Sequence, residues 1–274
     1  MTGVRPEGSV AASKINPAVP QSARVWDCWL GGKDHYPADE QAADECFLRF
    51  PRIFDLARSC REFHVRMTRH LAAAGIRQFL DIGPGLPARD DGNTHEVAQR
   101  VAPECRVVYA DNDPLVVAFG QGLLTSSPPG RSDCISADLG DPGALLAQAR
   151  ELLDFTKPVA IMATAVLGHI GDPGCGGDHA AREVARQLRQ ALPPGGCLAV
   201  CDLTTHPALN EALESYNGTG ATPYRTRTRH QIARFLDGLQ PARAGIAPEW
   251  PGWPPQDDCP LPELPAWGAA GIRP

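Results

Sequence analysis

Between residues 76 and 202 strand-like and helix-like stretches alternate without interruption, and this alternation most limits what the chain can fold into. Short runs suited to strands lie at 76–82, 106–110, 133–137, 158–163 and 196–202. Helical patterns at 94–101, 114–124, 142–153 and 180–192 separate them. Successive strands joined by helices cannot be antiparallel hairpin partners. They predict a parallel sheet with helices on both faces. Right-handed crossovers then put any ligand at the carboxyl ends of the strands, near the point where strand order reverses.

The flanks add a helical segment before the sheet and weaker elements after it. From residue 23 to about 74 the pattern is helical, broken by Gly31-Gly32, Pro37 and Pro51. Leu56, Phe63, Met67 and Leu71 mark one amphipathic helix over 55–71. After Asp202 come a helix at 207–216, a glycine-threonine loop, and a helix at 229–239 opened by a Thr228/Gln231 capping pair. Weak strands at 244–247 and 267–272 would bring the sheet to seven, and 248–265, rich in proline, reads as an extended loop. The expected organisation is a flexible tail at 1–20, an N-terminal helical cap at 21–75 and a Rossmann-like core at 76–274.

Composition narrows the function. The 274 residues suit one elaborated α/β domain. With a net charge of −6 and no long basic run, a nucleic-acid partner is not expected. No apolar stretch approaches the roughly 20 residues needed to span a bilayer. The first 20 residues lack the hydrophobic segment of a secretion signal. The nine cysteines contain no Cys-x-x-Cys pair, so they read as buried thiols in a reducing cytoplasm and not as a metal site. A small-molecule substrate is the expected partner, with a homodimer left open.

Four strand ends carry the candidate site. The first ends in Asp81-Ile-Gly83-Pro-Gly85, and a glycine turn lets backbone approach a ligand that any Cβ would push away. Asp81 would repel a pyrophosphate but suit an amine-bearing cation, which points to S-adenosyl-L-methionine. Asp111, with Asn112 beside it, ends the second strand, where a carboxylate can accept both ribose hydroxyls. Asp138 follows the third strand, within reach of an adenine amino group. The loop after Ala163 would wall the methyl group. Asp113 and Asp141, each before a proline, are expected as helix caps. The competing fit is a nicotinamide enzyme, because residues 83–88 match a loose G-x-G-x-x-A. Against it stand Asp81 and a helix delayed to the Asn93/Glu96 capping pair, so no helix N-terminus meets a pyrophosphate.

Longer strings carry a family resemblance. They are Ser22-Ala-Arg-Val-Trp-Asp, Leu30-Gly-Gly-Lys-Asp34, Gly75-Ile-Arg-Gln-Phe-Leu-Asp-Ile-Gly, His95-Glu-Val-Ala-Gln99, Val107-Val-Tyr-Ala-Asp-Asn-Asp-Pro114 and Ile232-Ala-Arg-Phe-Leu-Asp-Gly-Leu239. In these the chain resembles an actinobacterial family of S-adenosylmethionine-dependent methyltransferases once listed as a domain of unknown function. The resemblance runs from about Pro17 to the end and implies a class I methyltransferase fold. Relatives often have Gly-Thr-Gly where Gly83-Pro84-Gly85 stands, and a histidine where this chain has Gly168 followed by His169.

On the acceptor side, Gly31 to Tyr36 reads either as a helix C-cap and turn or as a cap over the cofactor. In the second case Arg24 and Lys33 would bind a carboxylate, with Asp34, His35 and Tyr36 facing the acceptor. His169, His35, Asp34 and Asp202 are the candidate general bases. Arg225, Arg227 and Arg229 form either a solvated loop or an anion handle. The expected function is metal-free methyl transfer to a small molecule; the alternative is a non-catalytic, S-adenosylmethionine-binding regulator.

Overall fold

The structure is a computed structural model and describes residues 15–89, 92–171, 177–242 and 264–274. Among the described residues three helices come first: α1 (Ser22–Trp29), α2 (Pro37–Arg49) and α3 (Ile53–Ala73). The alternating part follows as β1 (Gln78–Ile82), α4 (Thr94–Val101), β2 (Arg106–Asp111), α5 (Pro114–Leu123), β3 (Arg131–Ser136), α6 (Pro142–Leu152), β4 (Ala160–Thr164), α7 (His179–Ala191) and β5 (Cys197–Leu203). A 3-10 turn, Leu167–His169, lies between β4 and α7. The chain closes with α8 (Pro207–Asn217), α9 (Arg229–Ala233), β6 (Gln240–Pro241) and β7 (Ala266–Ile272).

Among the described residues these strands form one seven-stranded sheet in the order β3-β2-β1-β4-β5-β7-β6. Strands β1 to β5 are mutually parallel, and β7 runs antiparallel to both β5 and β6. Order reverses between β1 and β4, so the carboxyl ends of these two strands flank the switch point. The expected α/β class and mostly parallel sheet are therefore what the chain adopts.

Side-chain alternation sorts the helices onto two faces. Phe79, Val107, Tyr109, Met162, Ala199 and Cys201 join one cluster with the N-terminal helices and α8. Leu80, Ile82, Val108, Ile161, Ala163 and Val200 join the other with α6, α7 and α9. The segment expected to cap the core shares its cluster. The Phe63 ring of α3 packs directly over Gly268 of β7, where a side chain would not fit, and Cys46 Sγ of α2 lies 3.4 Å from the Ala212 carbonyl of α8. Each of Phe63, Met67 and Leu71, all buried, contributes about 1.5–3 kcal/mol by leaving water.

The caps form at the residues that sequence marks for them. Asp113 accepts the Leu115 amide at 2.8 Å and Asp141 the Ala144 amide at 3.0 Å. Glu96 accepts the Asn93 amide at 3.0 Å, so α4 does begin nine residues beyond Gly85. Thr228 and Gln231 cap α9, but that helix is shorter than the expected 229–239: it passes into a 3-10 turn at Arg234–Leu236 and then a two-residue strand. The expected strand at 244–247, residues 248–263 of the proline-rich loop and residues 1–14 of the tail lie outside the described residues. Among the described residues no helix is long and apolar enough to cross a membrane.

Candidate active site

Gly83 and Gly85 adopt φ of +66° and +68°, a region that favours glycine, as β1 turns away from the sheet. The Gly83 amide bonds the Ala110 carbonyl at 2.9 Å, tying the turn to β2. The two glycines have different surroundings. A Cβ on Gly83 would lie 2.5 Å from Val166 Cγ2, whereas one on Gly85 would meet open space. The space beside Gly85 is open, at the turn where a ligand is expected from the sequence to approach the backbone.

Asp111 borders that space. Its Oδ1 accepts the Asp113 amide at 2.9 Å, and the Gly85 and Asn112 amides also favour its charge. Burial outweighs these and pushes the carboxyl up to about 6. Asn112 beside it is exposed. A half-buried carboxylate at the end of β2, held by backbone amides, keeps further lone pairs with which it can accept ribose hydroxyls. Asp138, beyond β3, is exposed and closes an Asx turn on the Gly140 amide at 2.8 Å. Ala163 is fully buried near the end of β4. Two residues on, Ala165 holds φ of +54°, the positive value of a non-glycine residue, and its amide bonds the Cys201 carbonyl at 2.7 Å. Such strain persists where surrounding structure dictates it, often at ligand sites.

Asp81 points the other way, into the helical layer. It is 3% exposed, and its Oδ2 accepts the Thr94 hydroxyl at 2.5 Å. Behind Thr94 lies His64 of α3, with Nε2 2.7 Å from Thr94 Oγ1 and Nδ1 3.1 Å from Thr164 Oγ1. Because the Thr94 proton goes to the carboxylate, His64 Nε2 must be the protonated nitrogen and Thr164 must donate to Nδ1. The result is a directed chain, Thr164 to His64 to Thr94 to Asp81, joining the ends of β4 and β1. Burial pushes the His64 pKa down against the opposing pull of Asp81. Sequence reasoning missed this histidine. Its signal was present: residues 60, 64, 67 and 71 share a helical face, and His64 is the polar member of an apolar stripe.

The cap residues divide. Arg24 is 1% exposed, its Nε 2.8 Å from Asp39 Oδ2 and its Nη2 donating to the Val19 carbonyl at 2.7 Å. It is engaged within the cap and not among the strand ends. α1 ends in a turn where the Gly31 and Gly32 amides bond back to the Cys28 and Asp27 carbonyls at 3.0 and 2.8 Å. Asp27 organises this turn further, accepting the Asp34 amide at 2.9 Å and lying 3.0 Å from His35 Nδ1. Lys33 and His35 line a cleft of about 330 Å³ formed by residues between 28 and 54, without a strand end in its wall. Asp34 reaches across to Arg89 of the glycine loop at 2.7 Å, placing the cap turn beside that loop.

The remaining acceptor-side residues gather after β4. His169 is half-buried: its Nδ1 lies 3.0 Å from the Pro223 carbonyl and its Nε2 2.8 Å from Ser22 Oγ of α1. A carbonyl only accepts, so Nδ1 carries the proton and Nε2 offers a lone pair to Ser22. Burial pushes this pKa down, favouring the neutral ring. Asp202, an expected base, is 1% exposed and receives the Tyr224 hydroxyl; burial raises it to about 6 despite Arg227 nearby. Gly168 is required because the Tyr224 ring fills the place of any side chain there. Of the three arginines, Arg227 is neither solvated nor an anion handle. It is buried and donates to the Leu167 and Ile170 carbonyls at 2.9 and 2.6 Å, pinning the turn after β4.

A mostly parallel sheet with a glycine turn at its switch point and the Asp111 carboxylate beside that turn places the chain among the doubly wound α/β proteins. The chain belongs to the S-adenosyl methyltransferase family, whose model matches residues 8–271, and is thereby an S-adenosylmethionine-dependent methyltransferase. It is similar to a DUF574 family protein from Streptomyces avermitilis, with 37% identity over 93% of this chain and 98% of that one, and a TM-score of 0.83. It is also similar to a candidate methyltransferase from Thermobifida fusca, with 34% identity over 93% and 96% of the two chains, and a TM-score of 0.80. No curated protein matches the chain.

Proposed function

We propose that the protein methylates a small molecule by in-line displacement, with the donor lying over the carboxyl ends of β1, β2 and β4. The observation that carries this is the open space at Gly85 bordered by the half-buried Asp111 carboxylate. S-adenosylmethionine supplies an electrophilic methyl on a sulfonium. In this reading Gly83 and Gly85 admit its methionine end, and Asp111 with Asn112 holds the ribose. Asp138 faces the adenine, and the strained turn at Ala165 walls the methyl. Asp81 contributes negative potential from within the sheet and, through Thr94 and His64, fixes the β1 and β4 ends relative to each other. Alignment and exclusion of water are then the protein's main work. A hydroxyl or amine acceptor must lose a proton, and in this reading His169 Nε2 takes it once Ser22 gives up its bond.

The setting proposed is the cytoplasm, where the cysteines stay reduced; seven of the nine are free thiols among the described residues. The test is release of S-adenosylhomocysteine from purified protein, S-adenosylmethionine and a broad panel of small-molecule acceptors. Acceptor-dependent release is expected. Tight cofactor binding with no release from any acceptor would instead favour the regulatory alternative.

A further inference from the structure

Asp81 carries its charge into the interior two residues ahead of Gly83, and the group facing it as a counter-ion is a histidine held neutral. The carboxylate is 3% exposed; its Oδ2 accepts the Thr94 hydroxyl at 2.5 Å and lies 3.5 Å from His64 Nε2. His64 becomes a cation only if Nδ1 also takes a proton. That nitrogen already accepts the Thr164 hydroxyl at 3.1 Å, at the end of β4. Burial pushes the same way, lowering the imidazole pKa. The groups around the ring come from several elements. Asp81 of β1 favours the imidazolium and Arg61 of α3 opposes it, while α4 and β4 present the hydroxyls of Thr94 and Thr164. Tyr109 of β2 faces the same carboxylate, and burial keeps it a neutral phenol. β5 and β7 meet α3 at the Cys201 thiol and at Gly268, which carry no charge.

A buried carboxylate beside a neutral imidazole is costly, and a cation arriving at the neighbouring turn recovers part of that cost. The two forms of the cofactor differ in this respect. S-adenosylmethionine is a cation at sulfur, whereas S-adenosylhomocysteine is a neutral thioether there. We propose that Asp81 and His64 make the site sensitive to the charge on the cofactor's sulfur, favouring the methyl donor over the spent product. This rests on the methyltransferase reading above. Asp81 faces the helical layer and touches no ligand; it acts through the protein interior, where a charge is felt more strongly than in water. His64 and Thr164 are positioning residues: Thr164 keeps His64 neutral, and the neutral ring leaves the Asp81 charge for the ligand. As the methyl carbon bonds to the acceptor, the carbon–sulfur bond breaks and its electron pair stays on sulfur. The attraction to Asp81 is lost with the sulfonium charge, so the product is held less tightly and leaves.

Calorimetry on the full chain at pH 7 tests this, with S-adenosylmethionine and S-adenosylhomocysteine titrated separately into wild type, Asp81→Asn, His64→Gln and His64→Lys. Wild type is expected to bind S-adenosylmethionine at least about threefold more tightly than S-adenosylhomocysteine. Asp81→Asn keeps the shape and removes the charge, and His64→Lys sets a lasting cation beside it. Each should lower that ratio at least about threefold. His64→Gln, which stays neutral, should keep the ratio even where it weakens both ligands alike. A merely structural role would move both affinities together. An unchanged ratio in Asp81→Asn and His64→Lys, with both ligands bound, therefore overturns the proposal and leaves the donor site standing. Should those variants fail to fold, wild type decides alone: S-adenosylhomocysteine held as tightly as S-adenosylmethionine overturns the proposal. Failure of wild type to bind either ligand overturns the donor site as well.

Discussion

Val166 occupies the space that a side chain on Gly83 would need: a Cβ built there lies 2.5 Å from Val166 Cγ2. The contact locks the turn after β1 against the turn after β4 and leaves Gly85 as the residue facing open space. The two glycines should therefore respond differently to substitution. Gly83→Ala combines a left-handed backbone with a clash and is expected to lose about 2–3 kcal/mol of stability as well as cofactor binding. Gly85→Ala carries only the backbone penalty, about 1–2 kcal/mol, yet should weaken S-adenosylmethionine at least about tenfold because the new methyl enters the ligand's space. Urea denaturation paired with calorimetry separates the two effects. A Gly85→Ala protein that binds like wild type would place the ligand elsewhere.

Asp111 makes cofactor affinity depend on pH. Burial raises its carboxyl to about 6, and ribose hydroxyls donate more strongly to the ionised form, with both oxygens then free to accept. Affinity should thus be level above pH 6 and fall by up to about tenfold per unit below it. Asp111→Asn should bind more weakly at neutral pH and lose this step. The stability of the unliganded protein moves oppositely. The folded state holds the Asp111 proton more tightly than the unfolded chain, so this group's contribution falls as pH rises from about 4 to 6. Calorimetric titrations between pH 5 and 8 read the affinity directly.

The relay through His64 predicts a stability change with the opposite slope. Its folded pKa is depressed by burial, so its contribution is full above the unfolded value of 6.5 and is lost as pH falls below it. His64→Phe keeps the ring volume but leaves Thr94 and Thr164 without their nitrogen partners, and should lose about 1–3 kcal/mol at pH 7.5. The difference from wild type should narrow at pH 5.5. A constant difference across that range in denaturant midpoints would contradict the assigned proton positions.

What was legible in the sequence was whatever followed a local period or cap. Strands β1 to β5 and their crossover helices show as apolar alternation, and the caps at Asn93, Asp113, Asp141 and Thr228 are short-range patterns that tertiary contacts leave intact. Strand β6 was not legible because two residues, Gln240 and Pro241, carry no period; only pairing with β7 makes them a strand. Residues whose partners are distant in sequence were the ones misjudged or missed. Arg24 resembles a free cation until Asp39 is brought to it. Arg227 resembles part of a solvated run until the carbonyls of Leu167 and Ile170 turn towards it. Gly168 is set by Tyr224, 56 positions away, which no local pattern records.

Arg24 and Asp39 form a buried pair, 1% and 0% exposed, and removing one partner strands the other's charge. Arg24→Ala and Asp39→Ala should each lose about 3–5 kcal/mol, and the double substitution much less than their sum. Asp39 also accepts the Gln21 and Tyr36 amides at 2.9 Å, so its single substitution should be the costlier. A denaturation double-mutant cycle measures the coupling. Additive losses would mean the pair does not hold the cap together.

The claim on which the site depends is that Asp111, beside the glycine turn, grips the nucleoside of S-adenosylmethionine. Isothermal calorimetry of wild type and Asp111→Ala, each titrated with S-adenosylmethionine and separately with NAD, addresses it most directly. The prediction is one site per chain for S-adenosylmethionine, roughly a hundredfold weaker without the Asp111 carboxylate, and no heat with NAD. Undiminished binding by folded Asp111→Ala, or a preference for NAD, would contradict it.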